Sequence, residues 1–133
     1  MNQHIETVVL DSEGLSAWIA QDRKLLTLFK VFHEMGADLV ISANTIVEVS
    51  HSRVDMPRLR WALSRVKVEP VTEPTAGEAA KLLKAAGLHG HEYAIDATVA
   101  ETALRRPGPV VILTSDVDDM PPLCGRQVGL LAL

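Results

Sequence analysis

Residues 110–119 read VVILTSDVDD. Val110, Val111, Ile112 and Leu113 are apolar on successive positions and run straight into Thr114, Ser115 and Asp116, with Asp119 three places further on. A strand with one wet face alternates apolar and polar residues. An unbroken apolar run suits a strand covered on both faces, as in a parallel sheet packed between helices. Residues 5–11, IETVVLD, repeat the arrangement, with the run stopped by Asp11. On the same grounds strands are expected at Ile5–Leu10, Leu39–Ser42, Val66–Val71, Val110–Thr114 and Val128–Leu131. The stretches between them, Leu15–Gly36, Asn44–Ser52, Pro57–Arg65, Thr75–Ala86 and Glu92–Arg105, read as helices. Such alternation predicts an α/β fold, doubly wound, in three layers.

The punctuation agrees. Asn44 is placed to cap the helix carrying Glu48. Pro70 and Pro74 bracket a turn, and Gly87 is placed to end the helix that follows. Pro107-Gly108-Pro109 breaks the chain before the fourth strand, and Pro121-Pro122 is expected to stop any helix after Asp116. There is no internal repeat, low-complexity tract or long linker. At 133 residues the chain reads as one domain spanning 1–133, able to bury roughly two thirds of its unfolded surface.

The hydrophobic fraction is 47% and the mean hydropathy +0.15, which fits a packed globular protein and not a disordered one. The net charge of −4 argues against a general cationic nucleic-acid binder, whose affinity rests on surplus Lys and Arg. A nuclease stays open, because a bound cation neutralises part of the acidity. The single cysteine, Cys124, permits no intrachain disulfide and suits a reducing cytoplasm. Its setting, PPLCGRQV, holds no His and reads as a packed structural thiol. No stretch approaches the ~20 apolar residues of a membrane span, and the start MNQHIETVVLD does not read as a signal peptide, because it lacks a basic start and its apolar run ends at an Asp.

Four acids stand against apolar runs: Asp11 in VVLD, Glu48 in TIVEVS, Asp96 in YAIDATVA and Asp116 in VVILTSD. Burying a bare carboxylate is costly, so core-facing acids imply a partner. No matching set of Lys or Arg lies in the same apolar context. A divalent cation with a preference for oxygen ligands, Mg²⁺ or Mn²⁺, supplies one. Functional groups in an open parallel sheet gather beyond the carboxyl ends of the strands, at the switch in strand order. If the chain winds both ways from the first strand, Asp11 and Asp116 converge there, Glu48 joins from the helix after the second strand, and Asp96 from the first turns of its own. Asp119 falls on the same face as Asp116 if one helical turn follows. Two divalent ions ~3.5–4 Å apart can activate a water and stabilise the leaving oxygen of a phosphodiester, and Thr114 and Ser115 can steady a ligand oxygen. The plainer readings are that Asp11 caps the helix starting near Leu15, that Asp116 forms an Asx-turn, and that Glu48 is a solvated helix position.

The order VLDSEGL, ISANTIVEVS, HEYAIDATVAETAL and VILTSDVDDM resembles the PIN domain, and within it the VapC-type toxins of bacterial toxin–antitoxin pairs. The resemblance runs from Ile5 to Leu131. It implies a three-layer PIN-like fold with a five-stranded parallel sheet flanked by helices, and a Mg²⁺-dependent ribonuclease site formed by Asp11, Glu48, Asp96 and Asp116. Asp119 matches the further acid of the TSDxxD pattern, while Asp118 is one place off. Asp11, Asp96 and Asp116 would ligate the principal metal. Glu48 and Asp119 would complete a second, weaker site or orient the attacking water. The implied reaction cuts single-stranded or loop RNA to leave a 5′-phosphate and a 3′-hydroxyl. The implied partners are a cognate antitoxin, docked in a helical groove, and a second copy in a homodimer.

Other features compete. His89-Gly90-His91-Glu92 resembles a metal-binding fragment, but a closed zinc site needs about four ligands and no Cys supplies the rest. A helix start, with His91 near the RNA path, is the reading adopted. Arg53, Arg58, Arg60 and Arg65 form either a solvated face or a phosphate-contacting rim. The apolar positions of Leu25–Met35 exceed the single stripe a core helix needs, which points to a partner surface that can include Trp61. Alternative functions are a PIN-type RNA-processing nuclease without antitoxin, a Mg²⁺-dependent phosphatase or phosphotransferase, and a non-catalytic Mg²⁺-binding interaction module. The phosphotransferase reading is weakened by Asp11-Ser12-Glu13 in place of Asp-x-Asp and by the absence of a P-loop.

Overall fold

The computed structural model describes residues 4–51, 53–115 and 117–133. At its centre lies a five-stranded sheet in the order β3-β2-β1-β4-β5, every pairing parallel. The strands are β1 (Thr7–Leu10), β2 (Asp38–Ser42), β3 (Lys67–Glu69), β4 (Val110–Thr114) and β5 (Gly129–Ala132). The chain winds outward from β1 through β2 to β3, then returns to build β4 and β5 on the other side. The switch in strand order therefore lies between β1 and β4, in the register Leu10 opposite Leu113. This is the α/β architecture expected of a PIN-like fold.

The unbroken apolar runs follow from two cores. Successive side chains of a strand point to opposite faces. Val9 and Ile112 pack with Ala97, Ala100 and Ala103 on one side of the sheet. Val8, Leu10 and Leu113 pack with Leu15, Trp18, Leu25 and Phe32 on the other. The first face is covered by α5 (Glu73–Ala86), α6 (Gly90–Leu104) and α7 (Pro121–Cys124). The second is covered by α1 (Ser12–Ile19), α2 (Arg23–Glu34) and α4 (Met56–Leu63), and α3 (Ala43–Val49) links β2 to α4.

Four local expectations are corrected. The single helix expected over Leu15–Gly36 is two helices, broken where Gln21 takes a φ of 59° and Asp22 caps α2 through the Lys24 N–H. Trp18 and Leu25 are both buried, so the apolar stripe continues across the break and hides it. Ser42, not Asn44, caps α3, accepting the Asn44 N–H at 3.3 Å. The far end of that expected helix, Ser52, lies outside the described residues. Pro121 and Pro122 begin a short helix instead of preventing one, because a first-turn residue has no intrahelical N–H bond to lose. The expected Val66–Val71 strand is shortened to Lys67–Glu69 on the sheet edge.

Other expectations hold. Gly87 ends α5 in the left-handed region at φ 69°. Cys124 is buried, and that burial pushes its thiol up to about 11, as an inert packing group. Glu69 accepts from Arg105 at 3.0 Å and Arg106 at 2.9 Å, and Arg105 also grips Glu101. These pairs fasten the end of β3 to the end of α6. No described helix is long and apolar enough to cross a membrane.

Candidate active site

Asp11 leaves the end of β1 and caps α1, its Oδ1 accepting the Gly14 N–H at 2.9 Å. Its own N–H donates to the Leu113 carbonyl of β4 at 3.3 Å, so the parallel ladder extends to the acid itself. The residue is 3% exposed. Burial pushes its carboxyl up to about 6, against the lowering effect of hydrogen bonds from the Thr114 side chain and the Gly14 N–H; the charge of Glu13 adds to the rise. Capping and burial thus coexist: Asp11 is a helix cap and also a desolvated acid at the strand switch.

Gly14, which no apolar pattern marks, makes this approach possible. A Cβ there would stand 3.3 Å from the Leu113 carbonyl oxygen and 3.4 Å from the Leu10 Cβ. Its absence lets the first turn of α1 lie against β1 and β4. The available signal is a glycine inside the first turn of a helix, where it costs propensity and needs a packing reason.

Glu48 stands on α3 and is exposed, which corrects the expectation of a core-facing acid. The helical repeat turns Thr45 and Val49 inward and leaves Val47 and Glu48 outside, although TIVEVS reads as continuously apolar around the acid. Ser12 Oγ donates to Glu48 Oε1 at 2.8 Å. Asp96 is half-buried two turns into α6. Glu48 and Asp96 line one cavity of about 290 Å³ together with His91, Glu92, Ala94 and Ile95. A second opening is lined by Ser12, Glu13, Ser16 and Glu48. Glu48 therefore borders both, between the head of α1 and the flank of α6.

Asp116 lies outside the described residues. Asp119 is half-buried in the turn from β4 to α7, and Asp118 is exposed beside it. Thr114 is fully buried and bonded to Asp11, so its hydroxyl serves the acid; Ser115 is exposed. Among the described residues, no three Asp, Glu, His or Cys side chains gather closely enough to hold a metal ion. The structure thus brings Glu48 to Asp96 and ties Glu48 to the residue next to Asp11. It leaves Asp119 in the following turn.

His89 caps α6 by backbone alone, and His91 lies in the first turn, on the wall of the cavity that holds Glu48 and Asp96. The basic region after Glu48 divides. Arg58 and Arg65 lie over the Trp61 ring at 4.9 and 5.5 Å. Arg65 also borders a cavity with Ala37, Asp38 and Lys67, at the amino ends of β2 and β3. It is therefore at the opposite edge of the sheet from the carboxylates and cannot belong to their rim. Trp61 is 41% exposed and meets Trp18 edge-on at 5.4 Å.

No protein-family model matches the sequence, and no curated protein matches it. Solved structures do. A chain of VapBC2 from Rickettsia felis, crystallised bound to a DNA fragment from their promoter, superposes with a TM-score of 0.69 at 11% identity, over 96% of this chain and 98% of that one. PAE2754 from Pyrobaculum aerophilum superposes with a TM-score of 0.59 at 22% identity, over 96% of this chain and 89% of that one.

Proposed function

With a VapC-like PIN-domain fold as the premise, we propose that this chain is a Mg²⁺-dependent endoribonuclease, with Mn²⁺ able to substitute, acting as the toxin of a toxin–antitoxin pair. The observation that carries the reading is the placement of the acids. Asp11 is buried at the switch between β1 and β4, while Glu48 and Asp96 share one cavity wall. Among the described residues no Lys or Arg pairs with Asp11 or Glu48. A desolvated carboxylate without a cationic side chain, in an all-oxygen donor set, fits a hard divalent cation.

In this reading Asp11, Asp96 and Asp116 would hold the cation, which would supply Lewis-acid charge to a phosphodiester oxygen and make a nearby water more acidic. Glu48 orients the attacking water and takes its proton, and Asp119 supports that water or a second, weaker cation site. Thr114 and the Gly14 N–H hold Asp11 in place. The RNA strand enters along the cavity wall that includes His91. Attack of the water oxygen on phosphorus, its proton passing to Glu48, and departure of the 3′-oxygen, which takes up a proton from solvent, would give a 5′-phosphate and a 3′-hydroxyl.

The VapBC2 likeness supports a partnered setting. Leu26 and Val31 on α2 and Trp61 on α4 are each more than a third exposed. They offer apolar surface for an antitoxin segment, and a homodimer is the proposed assembly. Incubation with mixed cellular RNA tests the activity. Cleavage is expected with Mg²⁺ or Mn²⁺, lost on adding a chelator, with 5′-phosphate ends by sequencing. Metal binding without any cleavage would favour a non-catalytic Mg²⁺-binding module instead.

A further inference from the structure

We propose that Ser12 is a positioning residue for Glu48, fixing where that carboxylate stands between the two openings it borders; the inference rests on the nuclease reading above. Among the described residues, little else holds Glu48. It lies on the outer side of a seven-residue helix, beside Val47, which is 71% exposed. Its side chain has three rotatable bonds, and its neighbours across the two openings include Glu13, Glu92 and Asp96. Like charges drive a free carboxylate away from such a place and into solvent. The one side-chain hydrogen bond to its carboxylate among the described residues comes from Ser12 Oγ at 2.8 Å.

The choice of donor matters. A Lys would hold Glu48 but cancel its charge. A hydroxyl donates one hydrogen bond and leaves the charge available for a cation or a water proton. The placement of Ser12 is equally specific. Asp11 caps α1 and thereby fixes Ser12 as its first residue. The two side chains diverge: Asp11 turns inward to Thr114 and the Gly14 N–H, and Ser12 reaches α3. Consecutive residues thus tie β4 and α3 to the head of α1. Glu48 is registered against Asp11 through one peptide unit.

The test compares Ser12→Ala, Ser12→Thr and Glu48→Gln, singly and in combination. Removing the hydroxyl should lower kcat on RNA about tenfold with KM nearly unchanged, because orientation is lost while substrate binding is kept. Mn²⁺ affinity measured by calorimetry should weaken several-fold, and Ser12→Thr, which keeps a hydroxyl, should restore both. In the Glu48→Gln background, Ser12→Ala should add no further loss, the coupling expected when one residue acts through another. Parental kcat and parental Mn²⁺ affinity in Ser12→Ala would overturn the role of Ser12 and leave the nuclease reading intact. An equal loss in the Glu48→Gln background would do the same. A parent protein that neither cuts RNA nor binds Mn²⁺ would overturn both.

Discussion

Asp96→Asn is expected to reduce RNA cleavage by a thousandfold or more while leaving the fold in place, the scale of losing one group that stabilises transition-state charge (about 10²–10³) together with a cation ligand. Asp96 is half-buried on α6 at the wall it shares with Glu48. The next two turns of the same helix, Ala97 to Ala103, are buried against the sheet. Asn has the volume of Asp and keeps an acceptor oxygen, so that packing is undisturbed. The charge is what disappears. Initial rates on a cleaved RNA, set beside thermal melting of both proteins, check the prediction. A variant that melts like the parent and still cuts at the parental rate would remove Asp96 from the site.

Asp11→Asn is expected to move activity and stability in opposite directions. Cleavage should fall at least as far as in Asp96→Asn, since the acid at the strand switch is lost. Stability in chelator should rise. Burial lifts the Asp11 carboxyl from 3.8 to about 6 in the folded protein, so the folded state binds the proton more tightly than the unfolded state. The stability contributed by that proton is fully present below about pH 4 and is lost as pH rises through about 6. At pH 7 the ionised, buried acid therefore costs on the order of 3 kcal/mol. Asn can still accept the Gly14 N–H and caps helices as well as Asp does. The expected gain is about 1–3 kcal/mol at pH 7, shrinking to nothing near pH 4. Urea melts at pH 4, 5.5 and 7 measure it. Added Mg²⁺ should stabilise the parent and narrow the gap at pH 7. A variant less stable than the parent at pH 7 would show that the buried charge is already compensated within the protein.

The sheet was legible because burial on both faces leaves a mark no other strand leaves: Val8, Val9 and Leu10 are apolar in succession, and each goes to one of two cores. The strand switch followed from placing β1 and β4 side by side, and Asp11 with it. What periodicity could not show was the break at Gln21, since the apolar stripe crosses it from Trp18 to Leu25. Nor could it show that Glu48 is exposed, because Val47 and Val49 flank it whichever way it faces and only the phase of a short helix decides. Ser12 and Gly14 leave no mark in periodicity for a different reason. Their roles lie in contacts to α3 and β4 that depend on three-dimensional approach. The arginines after Glu48 formed a cluster in sequence, but a helix running the depth of the sheet carries Arg65 to the far edge.

A crystal structure with Mn²⁺ at neutral pH, with the ion located by its anomalous scattering, tests the central claim most directly. One peak is expected within about 2.2 Å of carboxylate oxygens from Asp11, Asp96 and Asp116, beyond the ends of β1 and β4, and none in Asp96→Asn crystals. No peak at saturating Mn²⁺, or a peak that touches none of these three acids, would contradict the account.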